Sequence, residues 1–446
     1  HRDLHSFPTR RSSDLKIINF SYSTYFLVLL SSFTLYIWTN QMERIGIPLV
    51  LLLLFLVFIL FKDPMPTVPL LLNALFMVSQ TNWSFDSAPL YIYLTPISIV
   101  GGMIIHLIRF KVKFVKGKMF IGVIIMFIAM LLSSINAKEL SIYYWFYASI
   151  GLLYALVYLF YVNTLDGNHI SYLMKMMLIL GILVSLETLI FYLKVDDVVY
   201  AVEHKLINLG WGISNYVATY LIMFISITFY FIRNGKYGYL WIPISIFQII
   251  MLFFTISRGG IVAFAGLFPI LIFITLYKSH RWWKMLLLIV VSFIIYALII
   301  WAGFNLVSAL FERFKVLLLD DTGRIEIWID AFAKFKEHPL FGAGIFAREG
   351  TRDYNMYHNT ILHVLATMGI VGVISLLIQL YQQFKITLGH LKTENIYLAA
   401  ALLGAHAHGL VDNVYLMPQF MVLMLIIVSV VEVSMNNTQI AVQINS

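Results

Sequence analysis

Long apolar runs separated by short polar loops cover nearly the whole chain. A helix needs about 20 apolar residues, with a range of roughly 17–25, to cross the hydrocarbon core of a bilayer. The runs at 47–61 and 67–80 are short by this measure. The pattern predicts an all-α polytopic membrane protein with about 12–14 transmembrane helices. The candidate spans are 20–38, 47–61, 67–80, 88–108, 119–135, 141–163, 171–193, 214–232, 239–256, 260–277, 285–304, 358–384, 396–411 and 417–434.

The composition agrees with a membrane protein. Apolar residues make up 61% of the chain and charged residues only 12%, against roughly 25% charged in soluble domains. The net charge is +8, but its basic residues lie in short loops between apolar runs, which argues against a nucleic-acid partner. The absence of cysteine excludes disulfides, thiolate metal sites and cysteine nucleophiles.

The chain divides into four segments. Residues 5–15, HSFPTRRSSDL, resemble one reading frame of a sequencing adapter, so we interpret residues 1–15 as an assembly artefact. We predict transmembrane helices over 16–235, a second transmembrane region over 236–435, and a cytoplasmic tail over 436–446. The second region contains the one long loop, 305–357.

The basic residues of the short loops predict the orientation. With the N-terminus inside, 13 of them fall in inner loops and 5 in outer loops, which places loop 305–357 outside the cytoplasm. The inner set is Lys62, Arg109, Lys111, Lys113, Lys116, Lys118, Arg233, Lys236, Lys278, Arg281, Lys284, Lys385 and Lys392. The outer set is Arg44, Lys138, Lys194, Lys205 and Arg258.

The long loop contains an amphipathic helical pattern from Ile325 to His338, stopped by Pro339. We expect this helix to lie flat, with its apolar face on lipid or on the tops of the spans. A turn-rich segment, 340–344, then returns towards the span that begins at His358. The apolar face comprises Ile325, Trp328, Ile329, Phe332 and Phe335.

Two arginines are candidate phosphate ligands, because a guanidinium grips two phosphate oxygens and stays charged. Arg258 lies in Ser257-Arg258-Gly259-Gly260, where the glycines let a headgroup approach, but it could equally be a snorkelling interfacial arginine. Arg324 begins the loop helix, whose N-terminus favours anions, yet it could instead pair with Asp320 or Asp321.

His358 has the chemistry of a general base for a sugar hydroxyl, although a histidine at a helix start is often structural. We predict no metal site, because His358 and His363 are five residues apart, and His406 and His408 point to different helix faces. The pair Asp320-Asp321 could in principle hold a magnesium ion. No cofactor is expected.

Three stretches resemble a known family: SRGGIVAF at 257–264, GRIEIWIDAFAKFKEHPLFGAGIF at 323–346 and HNTILHVLATMGIVGV at 358–373. HAHGLVDN at 406–413 is a weaker match. Together they resemble the shared domain of O-antigen ligases and Wzy-type polysaccharide polymerases. The resemblance covers about 240–430.

This resemblance implies a metal-independent, inverting, GT-C-like glycosyltransferase of the bacterial plasma membrane, with its active site on the extracytoplasmic face. Such enzymes pass a glycan from undecaprenyl diphosphate to an acceptor hydroxyl. By motif, Arg258 and Arg324 would bind the diphosphate, and His358 would accept the proton from, or orient, the hydroxyl. Asn359, His408 and Asp412 are candidate supporting residues. The implied partners are the lipid-linked glycan, its acceptor, membrane lipid, a flippase and a chain-length regulator.

Three functions stay open at this stage. A polymerase and a ligase differ only in acceptor. We favour the polymerase, because such proteins act in many kinds of bacteria, whereas a lipopolysaccharide ligase requires an outer membrane. A transporter or flippase would place charges deep in the spans of two related halves. Here charges gather at span ends, with Glu187 an exception. The sugar, its linkage and the oligomeric state do not follow from the sequence.

Overall fold

The fold is a bundle of apolar helices, seen in a computed structural model. The structure describes residues 12–79, 90–138, 140, 142–210, 212–277, 283, 286–287, 289–292, 294, 297, 323–347, 357–389, 392–415 and 417–445. Much of the predicted span 285–304 and much of loop 305–357, including Asp320 and Asp321, lie outside the described residues.

Helices form nearly all of the described secondary structure. They are α1 (Ser12–Ser21), α2 (Thr24–Thr39), α3 (Glu43–Leu60), α4 (Thr67–Ser79), α5 (Leu90–Arg109), α6 (Phe120–Leu132), α7 (Ile142–Thr164), α8 (Ile170–Lys194), α9 (Val198–Glu203), α10 (Ser214–Asn234), α11 (Ile242–Phe254), α12 (Arg258–Leu276), α13 (Arg324–Glu337), α14 (Thr360–Leu388), α15 (Thr393–Gly409) and α16 (Pro418–Asn445). Short 3-10 turns cover Ser133–Asn136 and Gly238–Trp241, and β1 (Asn208–Leu209) pairs antiparallel with β2 (Gly212–Ile213).

Seven of the described helices are long and apolar enough to cross a membrane, and five further apolar helices are shorter. The predicted all-α polytopic fold is therefore confirmed. The span predicted at 47–61 is longer than the pattern indicated, because α3 begins at Glu43 and has 18 residues. The span predicted at 67–80 is a short helix of 13 residues.

The interior centres on α10 and the first part of α16. Among the seven candidate spans of the described residues, Ser214–Asn234 and Pro418–Asn436 are the most enclosed, with 83% and 89% of their most apolar stretches buried. Outer helices such as α3 expose leucines instead, including Leu49 and Leu52. Exposed aliphatic side chains around an apolar core are what a helix bundle surrounded by lipid requires.

A buried carboxylate closes one end of the bundle. Glu432 accepts hydrogen bonds from the Lys118 backbone N–H at 2.7 Å and from the Tyr158 hydroxyl at 2.8 Å. The same hydroxyl accepts the Met119 N–H at 2.8 Å, so amides at the start of α6 are satisfied. At the other end of α6, Asn136 donates to the Gly342 carbonyl at 2.9 Å. The 110–119 loop and the 339–347 loop therefore lie at opposite ends of the bundle.

Helix α14 is broken at Gly369, which has φ 62° and ψ −156°. A Cβ at Gly372 would lie 2.9 Å from the Val364 side chain, eight residues earlier. In a straight helix these residues would be about 12 Å apart along the axis. The segment 360–368 is therefore a short half-helix folded back against the longer segment 370–388.

The 339–344 loop satisfies the backbone groups that this break frees. The N–H groups of Ala343 and Gly344 bond the carbonyls of Ala366 and Thr367, at 2.9 and 3.2 Å. In return, the N–H groups of residues 370 and 371 bond the carbonyls of residues 339 and 340, at 2.9 and 3.3 Å. Broken helices persist in membrane proteins where neighbouring groups satisfy the backbone in this way. The HPLFGAG motif thus packs into the kink, and it holds the half-helix that follows His358.

Replacing Gly369 with alanine should destabilise the protein. Its backbone lies in a region essentially restricted to glycine, which costs other residues about 1–3 kcal/mol, and the new Cβ would lie 2.5 Å from the Leu340 oxygen. We expect a lower melting temperature in detergent and a smaller yield of monodisperse protein. Gly266→Ala in α12 is the matched control, since no atom lies within 4 Å of its added Cβ. Equal melting temperatures for the two variants would contradict the proposed packing of the kink.

The two ends of the bundle can be assigned to sides of the membrane by labelling. The chain has no cysteine, so single cysteines can be introduced directly. A cysteine at Asp330 in α13 should react with an impermeant maleimide in intact cells, whereas one at exposed Val115 should react only after permeabilisation. The reverse pattern would invert the predicted orientation.

Candidate functional site

An imidazole and a carboxylate meet beyond the ends of two helices. His358 precedes α14, and its Nδ1 lies 3.4 Å from Oδ1 of Asp412, which follows α15. The His358 side chain is 38% exposed and that of Asp412 only 5% exposed. The imidazole is therefore accessible to a ligand, while its carboxylate partner lies behind it.

Asp412 is held as an anion. Burial raises the pKa of its carboxyl, but the hydrogen bond from His358, electrostatic interactions with His408 and His358, and the hydrogen bond from the Asn413 N–H outweigh this effect and hold the pKa below its ordinary value. The Asn413 N–H donates to Oδ1 at 2.7 Å. Since an ionised carboxylate only accepts, Nδ1 of His358 carries the hydrogen and Nε2 is left as the basic nitrogen.

Local structure fixes the position of His358. Asn359 caps α14 by accepting the Leu362 N–H at 3.0 Å, and its own amide donates to the Leu410 carbonyl at 2.7 Å. One residue later, the Thr360 hydroxyl bonds the Asp412 carbonyl at 3.4 Å. These contacts tie the start of α14 to the end of α15, with His358 itself at a positive φ of 46°.

Arg258 begins α12 beside the same two helix ends. Ser257 caps α12 through Gly260, and its hydroxyl is hydrogen-bonded to Nε2 of His408 at 3.3 Å. A Cβ at Gly259 would lie 2.4 Å from the Val411 side chain, so glycine allows α12 to approach the 408–412 segment. The start of α12, which carries the half-buried Arg258, therefore lies against the 408–411 segment that leads to Asp412.

His408 lies deeper than the other candidate residues. It is fully buried, with Nδ1 2.7 Å from the Thr219 hydroxyl and Nε2 bonded to Ser257. Such a histidine cannot contact a substrate directly. Its contacts instead join α10, α12 and α15 beneath the site.

Arg324 approaches from the loop helix. The indole of Trp328, one turn along α13, donates to the Tyr357 carbonyl at 3.0 Å, immediately before His358. Arg324 also interacts electrostatically with His408. The loop helix extends over Arg324–Glu337, one residue from the predicted bounds. Its Trp328 and Ala331 pack towards α14, whereas Ile325, Ile329 and Phe332 are exposed, so contact of this face with lipid stays a prediction.

Arg258, Arg324, His358 and Asp412 are thus brought to one end of the bundle, with Asn359 as a cap and His408 beneath them. Two guanidinium groups beside an accessible imidazole–carboxylate pair can bind a polyanion and accept a proton from a neighbouring hydroxyl. Among the described residues, no group of three or more His, Asp or Glu side chains has the arrangement of a metal site.

Comparison with known families identifies this region. Residues 243–377 match the family model described as O-Antigen ligase. This segment is similar to O-antigen ligases. The predicted resemblance is confirmed over these residues, and the match supports a multi-pass membrane enzyme that processes O-antigen or a related glycan. No curated protein matches the chain.

The O-antigen ligase domain includes Arg258, Arg324, His358 and Asn359, whereas His408 and Asp412 follow it in the chain. Tyr357, next to His358, is fully buried beside Ala331 and Ala366, so it cannot present its ring to a glycan.

Sequence reasoning missed Lys205, Asn215 and Thr219, which reach the site from elements before the O-antigen ligase domain. Nothing in their local sequence indicates a site, because a single Asn or Thr near a helix start is common. Of the three, only Lys205 carries a structural signal, a positive φ. Ile256 and His358 near the site share it, as do Gln41 and Lys111 elsewhere.

Proposed function

We propose that the protein transfers a glycan from an undecaprenyl-diphosphate carrier to an acceptor hydroxyl at the extracytoplasmic face of the bacterial plasma membrane. One observation carries the proposal: the accessible His358–Asp412 pair lies at the same end of the bundle as the helix starts that carry Arg258 and Arg324. These are the groups that this transfer needs, namely a base for the attacking hydroxyl and cations for the diphosphate that leaves.

In the proposed step, the acceptor oxygen attacks the anomeric carbon from the face opposite the diphosphate. The new carbon–oxygen bond forms as the bond to the diphosphate oxygen breaks, and that oxygen leaves with the electron pair. Nε2 of His358 takes the hydroxyl proton and later releases it to solvent. Asp412 stabilises the imidazolium that forms, because its anionic carboxylate faces Nδ1. The products are an inverted glycosidic bond and undecaprenyl diphosphate.

The arginines act on the leaving group. Negative charge grows on the bridging diphosphate oxygen during the reaction, and cations fixed towards it stabilise the transition state more than the ground state. Arg258 at the start of α12 and Arg324 at the start of α13 add positive charge to helix N-termini, which already favour anions.

The proposal is tested with purified protein and a polyprenyl-diphosphate-linked glycan, by measuring product and released carrier diphosphate. We expect transfer without added metal and its persistence in excess EDTA. Loss of activity that magnesium restores would move the diphosphate contacts to a metal, with Asp320 and Asp321 as the first candidate ligands. A complete lack of transfer with any acceptor, accompanied by carrier movement across proteoliposomes, would favour a flippase.

The acceptor decides between the two family activities. We favour the polymerase, in which a second lipid-linked repeat supplies the hydroxyl and the product grows as a ladder of glycan lengths. A ligase would consume one carrier-linked glycan and attach it to a separate lipid or protein. Mass spectrometry of the lipid-linked products distinguishes the two.

A further inference from the structure

A second polar chain reaches the site from the side of Asp412 that faces away from His358. The Asn215 amide nitrogen donates to Oδ2 of Asp412, and both residues are buried. His358 and the Asn413 N–H bond the other oxygen, Oδ1. Asn215 thus completes the hydrogen bonding of the carboxylate from α10, a helix that precedes the O-antigen ligase domain.

Lys205 fixes the orientation of that amide. Its ammonium donates to Oδ1 of Asn215 at 2.6 Å. Because an ammonium group can only donate, the atom it contacts must be the amide oxygen, which turns the amide NH₂ towards Asp412. The two contacts therefore define a continuous series of donors and acceptors from Lys205 through Asn215 and Asp412 to His358.

The backbone places Lys205 for this contact. Lys205 follows α9 with φ 55°, and the N–H groups of Leu206 and Lys205 bond the carbonyls of Ala201 and Val202 at 3.0 and 3.3 Å. This is a Schellman motif, in which the left-handed position is usually glycine. Lysine occupies it here despite the unfavourable backbone conformation, and its side chain extends to Asn215.

We propose that Lys205 and Asn215 are positioning residues for the transfer reaction, which orient the Asp412 carboxylate so that it holds His358 with Nε2 towards the acceptor. The inference rests on the proposed function, because it assigns these residues to the same site. Neither residue needs to contact the substrate for this role. They act through Asp412, so their effects should depend on the presence of His358.

The main test compares Asn215→Ala and Lys205→Met with unmodified protein in the transfer assay. We expect kcat to fall about 10-fold in each while KM changes little. Lys205→Arg should recover most of the rate, since it retains a donor. Without the Asn215 donor the Asp412 carboxylate is less well oriented towards the imidazolium of His358, so the acid limb of the rate profile, which reports protonation of the base, should move to lower pH. The matched control is Asn163→Ala, which removes an asparagine bridge to Val115 at the opposite end of the bundle.

The pH readout has several neighbouring charges to consider. Asp412 is faced by His358 at the start of α14, and His408 of α15 acts on it too. Tyr216 of α10 also interacts with Asp412, while Lys205 and Arg324 act on His408. Lys205→Met removes one of these charges, whereas Asn215→Ala removes none. The acid limb of the rate profile of Asn215→Ala is therefore the decisive measurement.

A double-mutant cycle separates positioning from direct substrate contact. In a His358→Ala background, adding Asn215→Ala should lower the residual rate less than about 2-fold. Full additivity would overturn the proposal, because it would show that Asn215 acts independently of His358. A raised KM with unchanged kcat in Lys205→Met would also overturn it, in favour of a direct ligand of the diphosphate.

A measurement without turnover separates this inference from the proposed function. Diethyl pyrocarbonate modifies accessible unprotonated imidazoles, and modification of His358 can be followed by mass spectrometry across pH. In Asn215→Ala the midpoint should move to lower pH, because the imidazolium loses an oriented anionic partner. An unmoved midpoint would overturn the positioning role. A moved midpoint combined with normal transfer in His358→Ala would refute the proposed function and leave the positioning intact.

Discussion

Replacing His358 with alanine should reduce glycan transfer by about 10²- to 10⁴-fold, the usual contribution of a positioned general base. Carrier binding should survive, because the diphosphate contacts are assigned to Arg258 and Arg324. The loss of rate follows from the geometry of His358. Its Nδ1 is hydrogen-bonded to Asp412, so the accessible imidazole has Nε2 available as the proton acceptor. The measurements are single-turnover rates of transfer and the affinity for undecaprenyl diphosphate, both made on purified protein.

The chain offers a matched control for this prediction. His169 and Asp63 form a second imidazole–carboxylate pair, with Nε2 and Oδ2 2.7 Å apart, at the end of the bundle opposite the site. His169→Ala removes the same chemistry from a place where no substrate is expected, so transfer should remain near normal. A loss as large as that of His358→Ala would show that the effect arises from disturbed folding and not from catalysis.

The sequence predicted the helical architecture because the bilayer imposes a simple length rule on apolar runs. It did not predict the break in α14, since HVLATMGIVGV reads as a continuous apolar helix. Gly369 becomes a break only because the 339–344 loop supplies hydrogen bonds to the freed backbone. That partnership joins segments about 30 residues apart and leaves no periodic signal.

The candidate site divides in the same way. Arg258, Arg324 and His358 could be predicted because each lies in a recognisable motif at a helix start. Asp412 could be predicted only as a supporting residue, and the structure specifies His358 as its partner. Lys205 and Asn215 could not be found, because their role depends on how α9 and α10 approach the 408–413 segment. Contacts between distant elements are set by tertiary packing, which a single sequence does not reveal.

Replacing either Arg258 or Arg324 with alanine should lower transfer by roughly 10- to 100-fold. A charge-assisted hydrogen bond contributes about 1.5–3 kcal/mol, and about 1.4 kcal/mol corresponds to a tenfold change in rate. Arg→Lys at either position should restore only part of this, because an ammonium cannot grip two phosphate oxygens in a planar fork. Transfer rates and the affinity for undecaprenyl diphosphate, measured for each variant, test both statements.

Arg109→Ala provides the control, because Arg109 is an exposed arginine that contacts the Phe110 ring and lies at the other end of the bundle. Its loss should leave transfer unchanged. If Arg258 and Arg324 bind the same diphosphate, the double variant should lose carrier affinity as well as rate, whereas His358→Ala should lose rate alone. Normal polysaccharide length in cells that carry the triple variant, at normal protein level in the membrane, would show that none of the three residues takes part in catalysis. The snorkelling and capping roles would then suffice to explain them.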